Sequence, residues 1–325
     1  MRHRLVAVVI TFFAVGALAP VPVTGQGRTP WGDPDLQGIW NNVTATPLET
    51  PEALEGKAVL SDEEAAEYEQ QLADRLVEVE SRQHTGYAPS IWFETSGSLI
   101  ANRTALVVDP ANGKLPPLTP DAQRIADARE AARRFNAVGE PMTPADGPED
   151  RGPYERCITR GLPGSMLPGF YNHNYQILQT PGYVVILVEM IHDARIIPVD
   201  GRPHVDAGIR QWLGNSRGRW DGDTLVVETT NLSPMDQRNV AVFGTSTEGR
   251  VVERFTRLDD DTMDYQFTVE DPPTFTRPWT ASIPMTKVEG PLYEYACHEG
   301  NYGLPNILAG HRREEAEAEA KTAAR

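Results

Sequence analysis

Cysteine is scarce: Cys157 and Cys297 are the two thiols in 325 residues. No C-x-x-C, H-E-x-x-H, G-x-G-x-x-G or G-K-[ST] occurs. Their absence removes, in turn, the dithiol redox centre, the helix-borne zinc hydrolase, the dinucleotide fold and the phosphate-cradling loop in their usual sequence forms. Basic clusters interleaved with aromatics are missing as well. A formal charge of −16 repels phosphate backbones, so nucleic acid is not an expected partner. Beyond residue 25 no apolar run reaches the roughly 20 residues that a membrane-spanning helix needs.

The N-terminus reads as a secretion leader. Arg2 and Arg4 supply the positive start, residues 5–19 form an uncharged apolar run, and Pro20 and Pro22 follow it. Val23-Thr24-Gly25 offers a cleavage site, which predicts a signal peptide over residues 1–25 and a mature start at Gln26. The alternative is an uncleaved N-terminal anchor. Losing Arg2 and Arg4 with the leader makes the remaining chain two charges more negative. Both cysteines lie in the exported part, where an oxidising compartment favours a disulfide over a catalytic or metal-binding pair. Such a bridge would bring the segment after Cys157 beside the segment after Cys297. The expected location is periplasmic or secreted.

The roughly 300 residues that remain suit one large domain or two small ones. Residues 26–153 read as an extended arm with two helices that wraps the body. Pro30, Pro34, Pro47 and Pro51 argue against a long regular element at its start. Gly38-Ile39-Trp40 is similar to the G-x-W at the first strand of lipocalins, or is simply a tryptophan pinning the arm to the body. Ser61 with Glu64 makes a capping box, and Ala65, Tyr68, Leu72, Leu76 and Val79 give the following helix one apolar face. Thr119-Pro120 opens a second helix with Ile125, Ala128, Ala132 and Phe135 as its stripe and Gly139 as its stop. Residues 311–325 alternate Glu and Ala without an apolar face and predict a charged tail that forms a solvated, frayed helix.

Over residues 154–310 the period changes to two. Met263, Tyr265, Phe267 and Val269 alternate with polar neighbours, as do Trp279, Ala281, Ile283 and Met285. Residues 183–188 are apolar on both faces, which predicts a strand flanked on both sides. Pro181-Gly182, Asp221-Gly222 and Asp259 to Asp261 mark hairpin turns. The predicted fold is mainly β with two N-terminal helices: an antiparallel barrel of calycin or lipocalin type, or alternatively a β-sandwich.

Ionisable side chains gather around these strands. Glu189, His192, Asp193 and Arg195 interrupt apolar sequence, Arg156 and Arg160 flank Cys157, His173 opens a strand, and His298 and Glu299 follow Cys297. Charges at the end of a buried strand are costly unless paired or solvated. They form a structural ion network at a rim, the polar end of a pocket, or a metal site through His173, His192 and His298. Alternation places Glu189, Asp193 and Arg195 on one face and His192 on the other unless a bulge intervenes. For an acid–base centre the candidates are His192 or His298 as proton carrier, Glu189 or Glu299 as its orienter, and Arg195 or Arg156 for an anion. Arg156, His173, Asp193 and Tyr295 are the candidate ligand-binding residues. Glu253, Arg254 and Arg257 read as cross-strand salt bridges. Gly214-Asn-Ser-Arg-Gly218 fits G-x-S-x-G, but a D-G hairpin follows it where a nucleophile elbow needs a helix.

Several segments together resemble a family of exported bacterial proteins of unknown function: TPWGDPDLQGIW at 29–40, RCITRGLPG at 156–164, HDAR at 192–195, GRWDGDTLVVE at 218–228 and YACHEGNY at 295–302. The resemblance spans nearly the whole exported chain and implies a bacterial periplasmic or secreted protein; it brings no activity, cofactor or catalytic residue with it. The expectation is therefore a binding protein for a small organic molecule, without a cofactor or resident metal. The alternatives are a cofactor-independent lyase, isomerase or hydratase, and a structural or assembly protein of the envelope.

Overall fold

The computed structural model describes residues 27–82, 98–131, 134–135, 141–142, 145–169, 171–233 and 245–323. The leader read at residues 1–25 lies outside them. Eleven antiparallel strands make the main sheet. Three hairpins form where the turn residues place them. Strands β5 (Asn174–Thr180) and β6 (Tyr183–Val188) meet around Pro181-Gly182; β8 (Asn215–Asp221) and β9 (Thr224–Thr230) meet around Gly222, whose φ is +62°. Strands β10 (Arg250–Arg257) and β11 (Thr262–Glu270) pair across residues 258–261.

The arm contributes more than wrapping. Its strand β1 (Gly38–Asn41) sits between β5 and β13 (Met285–Val288), joining the meander of β5, β6 and β7 (Ala194–Pro198) to the rest of the sheet. Trp40 on this strand is fully buried, donates its indole N–H to the Leu36 carbonyl at 2.9 Å and lies under the Arg257 guanidinium. Strand β2 (Val107–Asp109) joins the sheet through β12 (Trp279–Ser282), and β3 (Arg134–Phe135) with β4 (Pro141–Met142) forms a separate ribbon.

The full strand order is β7-β6-β5-β1-β13-β11-β10-β9-β8, with β7 spanning Ala194–Pro198. The sheet does not close into the expected calycin-type barrel: among the described residues no ladder joins β7 to β8. The two end strands do touch, because a Cβ added at Gly218 would lie 3.1 Å from Ile197 and 2.7 Å from Val199. Pro198 has no N–H with which to extend a ladder, and Arg217 and Arg219 guard the β8 edge with charge. The result is a mainly antiparallel sheet, open at the β7–β8 seam.

Period-two reading locates the core correctly. Met263, Tyr265, Phe267 and Val269 all point inward, as do Trp279, Ala281, Ile283 and Met285, and they pack with Phe255 and Trp40 in one cluster. Strand β6 is flanked by β5 and β7, with Val184, Ile186 and Val188 buried. Helix α1 (Asp62–Arg82) has its capping box: the Ser61 N–H donates to Glu64 Oε2 and the Glu64 N–H to Ser61 Oγ. Ala65 and Tyr68 pack with Leu60 and Leu99, while the Val79 side chain lies outside the described residues.

Helix α2 (Pro120–Ala131) starts as the sequence predicts, with Thr119 Oγ1 accepting from the Ala122 N–H, but ends early. Ile125 and Ala128 are exposed and Phe135 belongs to β3, so the anticipated stripe is not a buried face; Ala132 and Gly139 lie outside the described residues. Helix α3 (Gly303–Ala323) begins before the charged tail, and Leu308 and His311 are its buried residues among those described.

Candidate functional site

One end of the sheet gathers most of the residues singled out above. There β1 leaves, β5 enters, β6 leaves and β7 enters. The Cys157–Cys297 disulfide, with Cα atoms 5.7 Å apart, ties residues 295–301 to the loop that precedes β5. Strand β6 stops at Val188, and a tight turn over 189–193 replaces the expected continuation. Ile191 (φ 65°) and His192 (φ 50°) occupy the left-handed region, so strand alternation does not pass through. Glu189, Asp193 and Arg195 therefore go to three different places rather than sharing a face.

Glu189 turns inward and accepts from the Asn174 side-chain amide at 2.8 Å. Asp193 accepts from the Thr159 hydroxyl at 2.7 Å; burial raises its pKa, against the opposing pull of that hydrogen bond, His192 and Arg195. His192 is exposed, and its Nδ1 sits 3.0 Å from the Tyr295 carbonyl. His173 is buried with Nδ1 accepting from the Gly169 N–H. Arg156 is half-buried, and His298 and Glu299 are exposed. The disulfide thus brings Tyr295 beside His192, but His298 and Glu299 point to solvent. His173, His192 and His298 do not form a ligand set.

Arg195 is not at a rim. It crosses the interior from β7 to Glu253 on β10, where Nη1 donates to Oε1 at 2.8 Å and Nη2 pairs with Oε2. Their side chains are 1% and 0% exposed. The Tyr265 hydroxyl donates to the same Oε1 at 3.0 Å. Burial pulls the Arg195 pKa down, but the Glu253 charge and hydrogen bonds outweigh it and the net direction is up. Burial and the Glu253 carboxylate drive the Tyr265 phenol well above its ordinary range. Glu253 is consequently no surface cross-strand partner. Ser216 of the G-x-S-x-G match lies in β8 with its hydroxyl against Thr229, an ordinary strand position.

Beside this end, between helix α1 and the chain that leaves β1, lies a groove of about 340 Å³. Leu48, Leu72, Leu76, Leu106 and Leu167 make its apolar walls, and Arg75 brings a cation to its lining. Behind the wall at 167–169 stands Arg160, which donates to the Leu167 carbonyl at 3.3 Å and packs against Gly169. The same guanidinium lies 5.5 Å from the Tyr154 ring centre, and Tyr171 and Tyr295 pack nearby with centroids 6.3 Å apart. Burial and the hydrogen bond it shares with Tyr171 raise the Tyr295 phenol. Asn42, two residues before the groove wall begins at Thr44, donates to the Met166 carbonyl and to the Tyr175 hydroxyl. Burial pushes that phenol up to about 12, against Arg160 and the Asn42 hydrogen bond. Polar side chains thus back an apolar groove, an arrangement suited to holding a molecule by one end.

Sequence reading found the apolar face of α1 but missed this groove, because 44–48, Leu106 and 167–169, which complete its walls, carry no motif. The Arg195–Glu253 pair did leave a signal: Glu253 is in step with Val251 and Phe255, the buried phase of β10. The chain matches no model of a known protein family and no curated protein.

Proposed function

We propose that the chain is an exported bacterial binding protein, periplasmic or secreted, that holds a small organic molecule in the groove between α1 and the disulfide-bearing end of the sheet. The observation that carries this reading is the groove itself: about 340 Å³, walled mostly by apolar side chains, with Arg75 in its lining and Arg160 behind its wall. That volume is at the lower end of the ~300–1,000 Å³ typical of ligand sites. It fits an amphipathic ligand with an apolar body and one anionic or hydrogen-bond-accepting group. The leader-like N-terminus, the disulfide and the resemblance to exported bacterial proteins support the location.

The test is thermal. Small aromatic and aliphatic carboxylates are screened for a rise in melting temperature, and Leu76→Trp fills the groove from the half-buried face of α1. Ligand at ~100 Kd adds about 2.7 kcal/mol, several degrees for a chain of this size. A rise in the native protein that vanishes in Leu76→Trp supports the proposal. No rise with any compound, or one that survives the filled groove, overturns it.

A further inference from the structure

Helix α3 touches the body through few residues. Half-buried Leu304 and buried Leu308 and His311 fall on one face, so an imidazole occupies the third position of an otherwise apolar contact. The His311 side chain is 7% exposed, and its Nε2 makes no hydrogen bond among the described residues. A buried polar nitrogen left so is costly. Two carboxylate oxygens nevertheless aim at it: Asp146 Oδ1 at 3.4 Å and Glu315 Oε1 at 3.4 Å. Glu315 stands one turn along the helix from His311, at the i,i+4 spacing that shares a face. Asp146 comes from the loop before Gly147.

From this geometry we infer a divalent-cation site of zinc type, made by Asp146, His311 and Glu315, that clamps α3 to the loop at 145–150. The three ligand atoms lie within 4.8 Å of one another. Ligands about 2.0–2.1 Å from zinc at tetrahedral angles stand roughly 3.3–3.4 Å apart, which is the spacing of both His311 pairs. Octahedral magnesium ligands at ~2.0–2.1 Å stand nearer 3.0 Å apart, and magnesium takes oxygen ligands and water rather than imidazole. Asp146 is 78% exposed and Glu315 49%, which leaves an entry path and room for water at the fourth position. The cation satisfies the buried imidazole nitrogen and relieves two carboxylates of their mutual repulsion. Its effect is to hold a helix that otherwise has little apolar contact.

The experiment uses the full chain stripped with chelator and titrated with Zn²⁺ by calorimetry, with Co²⁺ as a spectroscopic probe and amide exchange read over α3. One equivalent of Zn²⁺, tetrahedral Co²⁺ absorption and slowed exchange across 303–323 are expected. His311→Ala abolishes that equivalent. Glu315→Gln, a change at an exposed position that spares folding, weakens it at least tenfold. Absent one-to-one uptake, or uptake equal in the native chain and both variants, overturns the site; uptake without slowed exchange in α3 overturns the clamp.

Discussion

Replacing Arg195 by Met leaves the Glu253 carboxylate in the core with one remaining hydrogen bond, the Tyr265 hydroxyl. Both side chains of the ion pair are essentially inaccessible to solvent, so water cannot replace the lost guanidinium. Breaking a buried pair in this way costs about 3–5 kcal/mol, which in a chain this large lowers the melting temperature by roughly 10 °C. Glu253→Gln strands the opposite charge and falls in the same range. The double variant Arg195→Met/Glu253→Gln carries no buried charge, and its Gln still accepts from Tyr265. It should recover about 2 kcal/mol relative to the sum of the single losses, within the usual range for coupled neighbours. Urea denaturation of the four proteins reads this directly, with midpoints shifting and slopes unchanged. A single-variant loss below ~1 kcal/mol, or strictly additive losses, refutes the view that the pair is a desolvated unit.

Other perturbations test the remaining parts. The Cys157–Cys297 bridge spans a sequence separation of 140, so replacing both cysteines by Ser should cost up to roughly 5 kcal/mol by the chain-entropy relation, measured by urea unfolding. Asp193 has its pKa raised by burial, so its ionisation opposes folding. The stability this group lends is present at low pH and is lost as pH rises through the folded pKa. Asp193→Asn, which still accepts from Thr159, should therefore be the more stable protein near about pH 7 and match the native one near about pH 3; denaturation at both pH values decides. Gly214 has φ +67°, and a Cβ there would meet the Thr230 carbonyl oxygen at 2.5 Å, so Gly214→Ala should lose more than ~1 kcal/mol by urea unfolding and speed proteolysis of β8–β9.

Strands were legible where one face is buried and the other wet, because Met263 to Val269 can be satisfied by a single register. The disulfide was legible from compartment logic. Strand β1 was legible only as one of two readings of Gly38-Ile39-Trp40: it is four residues long in a proline-rich arm, and its stability comes from β5 and β13, more than a hundred positions away in sequence. The turn at 189–193 was hidden because it places Ile191, a β-branched residue, at positive φ, which local preference argues against. That turn gave Asp193 a hydrogen bond from Thr159, while Arg195 pairs with Glu253. In the His311 cluster the i,i+4 pair with Glu315 is written in sequence, whereas Asp146 arrives only through tertiary packing.

Backbone hydrogen exchange, with and without a carboxylate ligand from the thermal screen, asks most directly whether the groove is the binding site. Occupancy should slow amides in three separated stretches, 44–48, 72–76 and 167–169, and leave β8 and β9 unchanged. Protection centred on another surface, or none at saturating ligand, would contradict the account.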